Sequence, residues 1–278
     1  MQFSGLLLPV ALVAAACAAN CARGGRKPGA ENMVAIPGGT FAMGSDGADA
    51  NPSEKPIHSV TVAAFRLDRT EVTVAEYGEC VRARACSEPE PYTNEPANYR
   101  VFCNWHHPEG RASHPINCVD YDQARTFCAW AGKRLPTEEE WEYAARAGAE
   151  GRKFPWGNDK PDQTRLNGCG EECTKNLRAH RFPSGAALYP ASDGWPETAP
   201  VGSFPAGASK DGVLDMAGNV WEWTASQFAT YDGTSTEPKR VLRGGSWGGG
   251  DARTERTTNR FRLVPTGRAQ FLGFRCAK

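Results

Sequence analysis

Oxygen-bearing residues recur at short intervals in the run 211–223, which reads DGVLDMAGNVWEW. Asp215 and Glu222 offer carboxylates, Asn219 offers an amide oxygen, and Gly218 allows a tight turn of the backbone. Calcium, a hard cation, binds such mixtures of side-chain and backbone oxygens. The residues alone leave two interpretations open, a calcium-binding loop or a tight turn with a solvated carboxylate, and the turn is the simpler one.

Tryptophans flank these oxygens and indicate the elements that position them. Trp221 and Trp223 lie at the end of the run, and Trp247 ends a second run, RGGSW, at 243–247. Because Trp is costly to leave in water, both runs are predicted to form walls of one hydrophobic core.

Helices are the clearest predicted elements. Thr73, Asp120 and Thr137 are each followed three positions later by Glu or Gln, the pattern of a capping box at a helix start. Apolar residues then recur at helical spacing, and Gly132 and Gly148 end the second and third helices.

Composition excludes some classes of function. Lys+Arg and Asp+Glu both number 32, so no net field draws the chain to nucleic acid or to an anionic membrane surface. The 30 Gly and 20 Pro residues, with 40% hydrophobic residues, favour a loop-rich domain with a real core. A strand that breaks at a turn over 37–39 is predicted within 33–40, a second strand over 60–67, and loops over the aperiodic segments 82–118 and 154–212. One domain over 33–278 is the simplest organisation.

The first residues predict export. The apolar run from Leu6 to Ala16 is too short to span a bilayer and ends in small residues, so residues 1–17 are predicted to be a signal peptide. Cys17 follows VAAA, as in a lipoprotein processing box, which leaves two alternatives: a lipid that attaches Cys17 to a membrane, or cleavage and release. Residues 18–32 are predicted to be a flexible tether. The expected location is the periplasm or cell envelope for a lipoprotein, and the exterior for a released protein.

Export changes how the cysteines are interpreted. Of the ten cysteines, Cys17 and Cys21 lie before the domain, and eight remain. An even number in an oxidising compartment favours disulfides, although 105 pairings are formally open. Spacing suggests three local pairs and leaves a fourth, long-range pair: Cys80 with Cys86, Cys103 with Cys118, Cys169 with Cys173, and Cys128 with Cys276.

Two further patterns allow other ligands. A zinc site is conceivable from the spacing of Cys103, His106, His107, His114 and Cys118, but a disulfide is preferred in an exported chain. A basic run near the C-terminus either pairs with carboxylates inside the domain or binds an anion such as an acidic glycan; it comprises Arg253, Arg256, Arg260, Arg262 and Arg268.

The run 133–143, KRLPTEEEWEY, resembles the formylglycine-generating enzyme (sulfatase-modifying factor) family. The likeness continues in the family's order through FPWGN (154–158), DGW and TAPVG (193–202), DMAGNVWEW (215–223), VLRGGSW (241–247) and GFRC (273–276). It covers nearly the whole chain after residue 33. The resemblance implies an α+β fold of the formylglycine-generating-enzyme type, related to the C-type lectin fold and poor in regular secondary structure.

The same resemblance implies two structural calcium sites. At the first, side-chain oxygens come from Asn167 and Asp193, and carbonyl oxygens from Gly168 and Trp195. At the second, carboxylates come from Asp215 and Glu222, and carbonyl oxygens from Gly218 and Val220. An unusual insertion, CGEEC at 169–173, follows the first site. The resemblance also implies the long-range disulfide between Cys128 and Cys276.

The catalytic cysteines of the family are absent from this sequence. Family members hold copper(I) with two cysteines soon after the GGS motif, and copper(I) needs soft thiolate ligands. Gly249 and Thr254 stand at those positions here. We therefore expect no copper, no catalytic residue of the family type and no formylglycine-generating activity.

A cleft is nevertheless expected at the same place. Trp221, Ser246 and Arg262 match residues that line the family's active-site pocket, beside Gly249 and Thr254. The preferred function is a monomeric, calcium-stabilised binding or scaffold module without catalysis, which holds a peptide or a glycan. The alternative is an oxidoreductase of the wider, partly nonheme-iron family that acts on a substrate other than a sulfatase cysteine. A bound redox metal would discriminate between the two.

Overall fold

Short strands and helices are separated by long irregular segments in this protein. The structure, a computed structural model, describes residues 32–89, 97–183 and 185–278. The strands are β1 (Met33–Ile36), β2 (Gly39–Met43), β3 (His58–Val62), β4 (Phe65–Asp68), β5 (Trp221–Ala229), β6 (Thr236–Arg243), β7 (Phe261–Leu263) and β8 (Leu272–Gly273). The helices are α1 (Val74–Arg82), α2 (Tyr121–Trp130), α3 (Glu138–Ala145) and α4 (Glu171–Ala179). The predicted signal peptide, Cys17 and residues 18–31 of the predicted tether lie outside the described residues.

The largest sheet has four strands in the order β7-β6-β5-β8. β5 pairs antiparallel with β6, where Glu222 lies opposite Arg243, and parallel with β8, where Trp221 lies opposite Leu272. β1 pairs with β4 and β2 with β3, both antiparallel. The end of the DMAGNVWEW run therefore lies at the start of an inner strand.

The strand predicted over 60–67 is two strands. β3 ends at Val62 and pairs with β2, whereas β4 begins at Phe65 and pairs with β1. The chain crosses between the two sheets at Ala63, against the turn at Gly38, where an added Cβ would lie 2.6 Å from the Ala63 backbone. The prediction was wrong because the apolar pattern continues across this crossing and says nothing about strand partners.

Capping boxes begin three of the helices, as predicted. The side chains of Thr73, Asp120 and Thr137 accept the backbone N–H three residues later, at the starts of α1, α2 and α3. α4 lies in a segment that was predicted as loop, and that prediction was wrong there. Its N-cap is Gly170, which has no side chain to accept a hydrogen bond, so the sequence lacks a start signal for this helix.

Disulfides join the eight cysteines of the described chain in the four predicted pairs. Cys128 and Cys276, fully buried, link α2 to the C-terminus over a sequence separation of 148. The bridge between Cys103 and Cys118 removes two thiols from the conceivable zinc site, and His114 makes a hydrogen bond with the Thr198 hydroxyl instead.

The three tryptophans predicted to share one core are buried in two clusters. Trp221 and Trp223 pack with α1, α2 and the C-terminus, whereas Trp247 packs with Phe102 and the cysteines of the insertion. Phe271 contacts both clusters. The prediction was correct on burial and wrong on a single core, because the segment around α4 brings its own apolar side chains to Trp247.

Candidate functional site

A cavity of about 310 Å³, which we call the aromatic pocket, opens beside the positions of the missing copper ligands. Its lining side chains are apolar apart from two hydroxyl groups; the lining comprises Trp221, Ser246, Gly248, Gly249, Thr254, Phe261 and Phe271. The structure thus brings together four of the five residues predicted for the pocket.

Three elements position the aromatic rings. Trp221 is the first residue of β5, and its N–H donates to the carbonyl oxygen of Phe271 at 2.8 Å. Phe261 is the first residue of β7, and its ring centre lies 5.6 Å from that of Trp221. The pocket wall is therefore built on the largest sheet and on the segment that leads into β8.

The floor of the pocket is the loop that follows β6. Gly244 and Gly245 have φ angles of 102° and 76°, which favour glycine because a Cβ is strained there. The Gly249 N–H donates to the Ser246 carbonyl oxygen at 3.0 Å and closes a tight turn. Trp247, in the same loop, is buried and packs against Phe102 and the cysteines of the insertion.

Arg262 does not line the aromatic pocket, contrary to the prediction. Successive side chains of a strand point to opposite faces, so Phe261 faces the pocket and Arg262 faces away. The Arg262 guanidinium pairs with Glu237 at 2.7 Å and lies 4.3 Å over the ring of Phe228. No charged side chain therefore belongs to the lining.

Glu255 is a residue of the site that sequence reasoning missed. It is fully buried, its Oε1 accepts a hydrogen bond from the Thr254 hydroxyl at 2.8 Å, and the backbone N–H groups of Gly218 and Ser246 also stabilise its carboxylate. Burial raises the pKa of this carboxyl to about 8. A Cβ added to Gly249 would lie 2.6 Å from Oε1, so the carboxyl lies directly behind that part of the pocket wall. The only signal in the sequence was its position next to Thr254.

The described chain presents no free thiol to this pocket, because its eight cysteines are all in disulfides. The cysteine backbone in contact with the floor is that of Cys169, whose N–H donates to the Gly249 carbonyl oxygen at 3.3 Å. Among the described residues, no group of three or more His, Cys, Asp or Glu side chains is placed to hold a metal ion.

The ligand set of the second predicted calcium site does not fit a cation in this structure. Both carboxylate oxygens of Glu222 accept hydrogen bonds from the buried Arg275 guanidinium, at 2.7 and 2.8 Å, and one also accepts from the Trp141 indole at 2.9 Å. Asp215 is buried beside Glu71, and burial raises the pKa of both carboxyls. Arg275 thus already supplies the positive charge that Glu222 requires.

The first predicted calcium site fits a cation better. Asn167 is buried, and its Oδ1 has no hydrogen-bond partner. The Asp193 carboxylate accepts from the Trp195 N–H at 2.8 Å, the Gly168 N–H at 3.1 Å and the Tyr189 hydroxyl at 2.6 Å, so Gly168 and Trp195 contact it through N–H groups and not through the predicted carbonyl oxygens. Burial raises the pKa of Asp193 to about 6, as expected for a carboxylate without a positive neighbour.

Comparison with known proteins identifies the family. The sulfatase-modifying factor enzyme 1-like domain matches residues 20–278. The chain belongs to this family. It is 37% identical to the inactive C-alpha-formylglycine-generating enzyme 2 of Bos taurus, over 88% of this chain and 87% of that protein. It is 33% identical to the formylglycine-generating enzyme of Streptomyces coelicolor, over 97% of this chain and 96% of that protein.

A solved structure supports the same assignment. PvdO from Pseudomonas aeruginosa matches with a TM-score of 0.65 and 30% identity, over 88% of this chain and 93% of that chain. The predicted α+β, loop-rich fold of the formylglycine-generating-enzyme type is thereby confirmed. The relatives include proteins named formylglycine-generating enzyme and proteins named as inactive, so membership of the sulfatase-modifying factor family alone does not decide activity.

A second apolar cavity, of about 330 Å³, adjoins the aromatic pocket. The two share Phe261 and Phe271, and the second is otherwise lined by Leu242, Leu263, Val264, Gly267, Arg268 and Ala269. We call the two cavities together the apolar groove. Phe261 and Val264 at its edge are 46% and 39% exposed, which is unusual for large apolar side chains. No helix of the described chain is apolar and long enough to cross a membrane.

Proposed function

We propose that this protein is a non-catalytic binding module of the sulfatase-modifying factor family, which holds a peptide segment in the apolar groove. The observation that carries the proposal is the wall of the aromatic pocket. Gly249 and Thr254 replace the thiolates there, and the cysteines of the described chain are all oxidised, so copper(I) has no soft ligand at this place. The pocket itself persists, which is what a binding function needs.

The shape and chemistry of the groove favour a peptide over a glycan. Two adjoining cavities that share Phe261 and Phe271 suit an extended peptide segment that places one apolar or aromatic side chain in each cavity. A glycan would need several polar partners along its length. The lining offers two hydroxyl groups in the aromatic pocket and Arg268 in the second cavity, which is engaged with Asp120.

Metal content and activity are the first test of this proposal. The protein is purified after export without chelator, its copper, iron and calcium are quantified, and it is incubated with oxygen and a sulfatase-derived cysteine peptide. An active enzyme of the family is the positive control. We expect no redox metal and no aldehyde product. Stoichiometric copper or iron would overturn the proposal in favour of the alternative, an oxidoreductase acting on another substrate.

Binding is the second test. Peptides selected against the native protein are titrated against Phe261→Ala, which removes an exposed ring shared by both cavities, and against Ile57→Ala. Ile57 is similarly exposed, at 43%, but lies outside the groove, so it is the matched control. We expect Phe261→Ala to weaken binding at least tenfold and Ile57→Ala to leave it unchanged. Equal effects of the two changes would place the binding surface elsewhere.

We further propose that calcium binds at the first site and stabilises the fold. Asn167 and Asp193 would supply side-chain oxygens, and Gly168 and Trp195 carbonyl oxygens, which would join the segment before α4 to the segment after it. Calcium at a hundredfold excess over its dissociation constant stabilises by about 2.7 kcal/mol. Added calcium should therefore raise the melting temperature of native protein and of Asp159→Asn, an exposed control, but not that of Asp193→Asn.

Export and the location in the cell envelope remain part of the proposal. Four disulfides require an oxidising compartment, which supports export. Lipid attachment at Cys17 is tested by fractionation of cells that produce the native chain or Cys17→Ser. We expect the native protein in the membrane fraction and the variant in the soluble fraction; the same distribution for both would contradict the anchor.

A further inference from the structure

The aromatic pocket combines three aromatic rings with the absence of any charged group in its lining. Trp221, Phe261 and Phe271 supply its rings, and its polar side chains are those of Ser246 and Thr254. The faces of aromatic rings carry negative electrostatic potential and attract cations, most strongly when the cation is poorly hydrated. Such a wall therefore accepts an alkylated ammonium group as well as it accepts a hydrocarbon.

A carboxyl group without a counter-charge lies behind this wall. Glu255 takes part in none of the ion pairs of the described chain, and the groups that stabilise its carboxylate are all neutral: the Thr254 hydroxyl and the backbone N–H groups of Gly218 and Ser246. The nearby charged residues do not neutralise Glu255. Asp251 is itself negative and pairs with Arg253, and Arg256 pairs with Glu54. A buried carboxylate in this position is costly unless a positive charge comes close to it.

The pocket is the open side from which such a charge can approach. The Glu255 carboxyl lies so close to Gly249 that a Cβ there would be 2.6 Å from Oε1, and Gly249 itself lines the pocket. No side chain at this position screens the carboxyl from the cavity. Burial raises the pKa of Glu255 to about 8, so this carboxyl is mostly protonated at neutral pH in the free protein, and a cation in the pocket would favour its ionised form.

We propose that the aromatic pocket binds an alkylated ammonium group, which stacks on the rings and serves as the counter-charge of Glu255. The inference rests on the proposed binding function, because it names the chemistry of the ligand for that same pocket. Two sources share this chemistry, a small quaternary ammonium compound and a methylated lysine side chain of a peptide. The test treats them as separate arms.

The experiment compares ligands of one shape and different charge on the intact, disulfide-bonded protein. Choline is titrated beside 3,3-dimethylbutan-1-ol, its neutral isostere, and 3,3-dimethylbutyrate, a related anion, at a pH above the pKa of Glu255. We expect choline to bind at least tenfold more tightly than the neutral isostere, and the anion to bind weakest. A peptide with trimethyllysine, beside one with unmodified leucine at that position, forms the second arm.

Two variants assign the charge effect to Glu255. Glu255→Gln should reduce choline affinity to that of the neutral isostere and leave the isostere unchanged. Asp251→Asn removes an equal charge from the same loop, where its carboxylate is exposed and holds Arg253, and should change neither. If Glu255→Gln does not fold, the charge series on native protein alone decides the question.

Every result supports the inference or overturns it. Equal affinity for choline and the isostere overturns it while the proposed apolar binding function stands. If no ammonium ligand binds while peptides still bind through Phe261, the inference is likewise overturned and the proposed apolar binding function stands. Tighter binding of choline than of its neutral isostere supports the inference. If the trimethyllysine peptide binds still more tightly than choline, a methylated peptide is the source of the ammonium group.

Discussion

Gly249→Ala is expected to destabilise the protein although it adds one methyl group at a pocket surface. The added Cβ would lie 2.6 Å from Glu255 Oε1 and 3.2 Å from both the Ser246 carbonyl oxygen and the Thr254 hydroxyl. Neighbours at this distance must move. Glu255 is fully buried and has little room to do so.

The expected magnitude follows from overpacking. Adding a methyl group to a filled interior costs about 1–3 kcal/mol. Gly248→Ala is the matched control, because it makes the same change one residue earlier, where nothing lies within 4 Å of the added Cβ. A change at such an open position alters the free energy of unfolding by no more than about 0.5 kcal/mol.

Urea denaturation of the oxidised protein measures both changes, and a double-mutant cycle with Glu255→Ala assigns the cause. If the carboxyl is the obstacle, Gly249→Ala should cost little once Glu255 is truncated, with a coupling energy of about 0.5–3 kcal/mol. In thermal unfolding, a loss of 1 kcal/mol corresponds to about 2–4 °C for a domain of this size.

The outcome bears on whether a copper site can be built at these positions. A cysteine at position 249 would meet the same obstacle, so two substitutions to cysteine should not restore copper binding unless Glu255 is truncated as well. The reasoning is refuted if Gly249→Ala and Gly248→Ala are equally stable, or if the cost of Gly249→Ala is unchanged in the Glu255→Ala background.

Three further predictions concern stability. Replacing both Cys128 and Cys276 by Ala opens a crosslink with a sequence separation of 148 and should lower the free energy of unfolding in urea by about 2–5 kcal/mol; no measurable loss would contradict this prediction. Arg275→Met leaves the Glu222 carboxylate buried and unpaired and should cost about 3–5 kcal/mol. Arg125→Met, which breaks an exposed pair with Asp122, should cost less than about 1 kcal/mol, and similar losses for the two would argue against the buried pair. Burial lowers the pKa of His114 from 6.5 to about 4, so the unfolded chain binds a proton first and stability is lost as the pH falls from 6.5 towards 4. Unfolding midpoints between these pH values should fall less for His114→Asn than for native protein, and parallel curves would exclude the effect.

The two calcium predictions show what a sequence motif can and cannot predict about a metal site. At the first site the Asn167 amide oxygen has no partner, and Asp193 accepts from the backbone N–H of Gly168, the residue after Asn167. Asp215 and Glu222 match the motif as well, yet Glu222 is held by Arg275, which is 53 residues away in sequence. A motif specifies which oxygens are available along the chain. It does not specify whether a metal ion or a cationic side chain from a distant part of the sequence will pair with those oxygens in the folded protein.

Features that depend on neighbouring residues could be predicted from the sequence, and features that depend on contacts between distant segments could not. The starts of α1, α2 and α3 follow from contacts between residues three apart, and the short disulfide loops follow from spacing. The resemblance also identified the family and the absence of its copper cysteines from residues in order along the chain. Only the tertiary structure decided that Arg262 leaves the pocket, that α4 forms without a cap, and that Glu255 lies behind Gly249. The physical reason is that capping and turn energies arise within a few residues, whereas the burial of a charge and its partner depend on which segments the fold packs together.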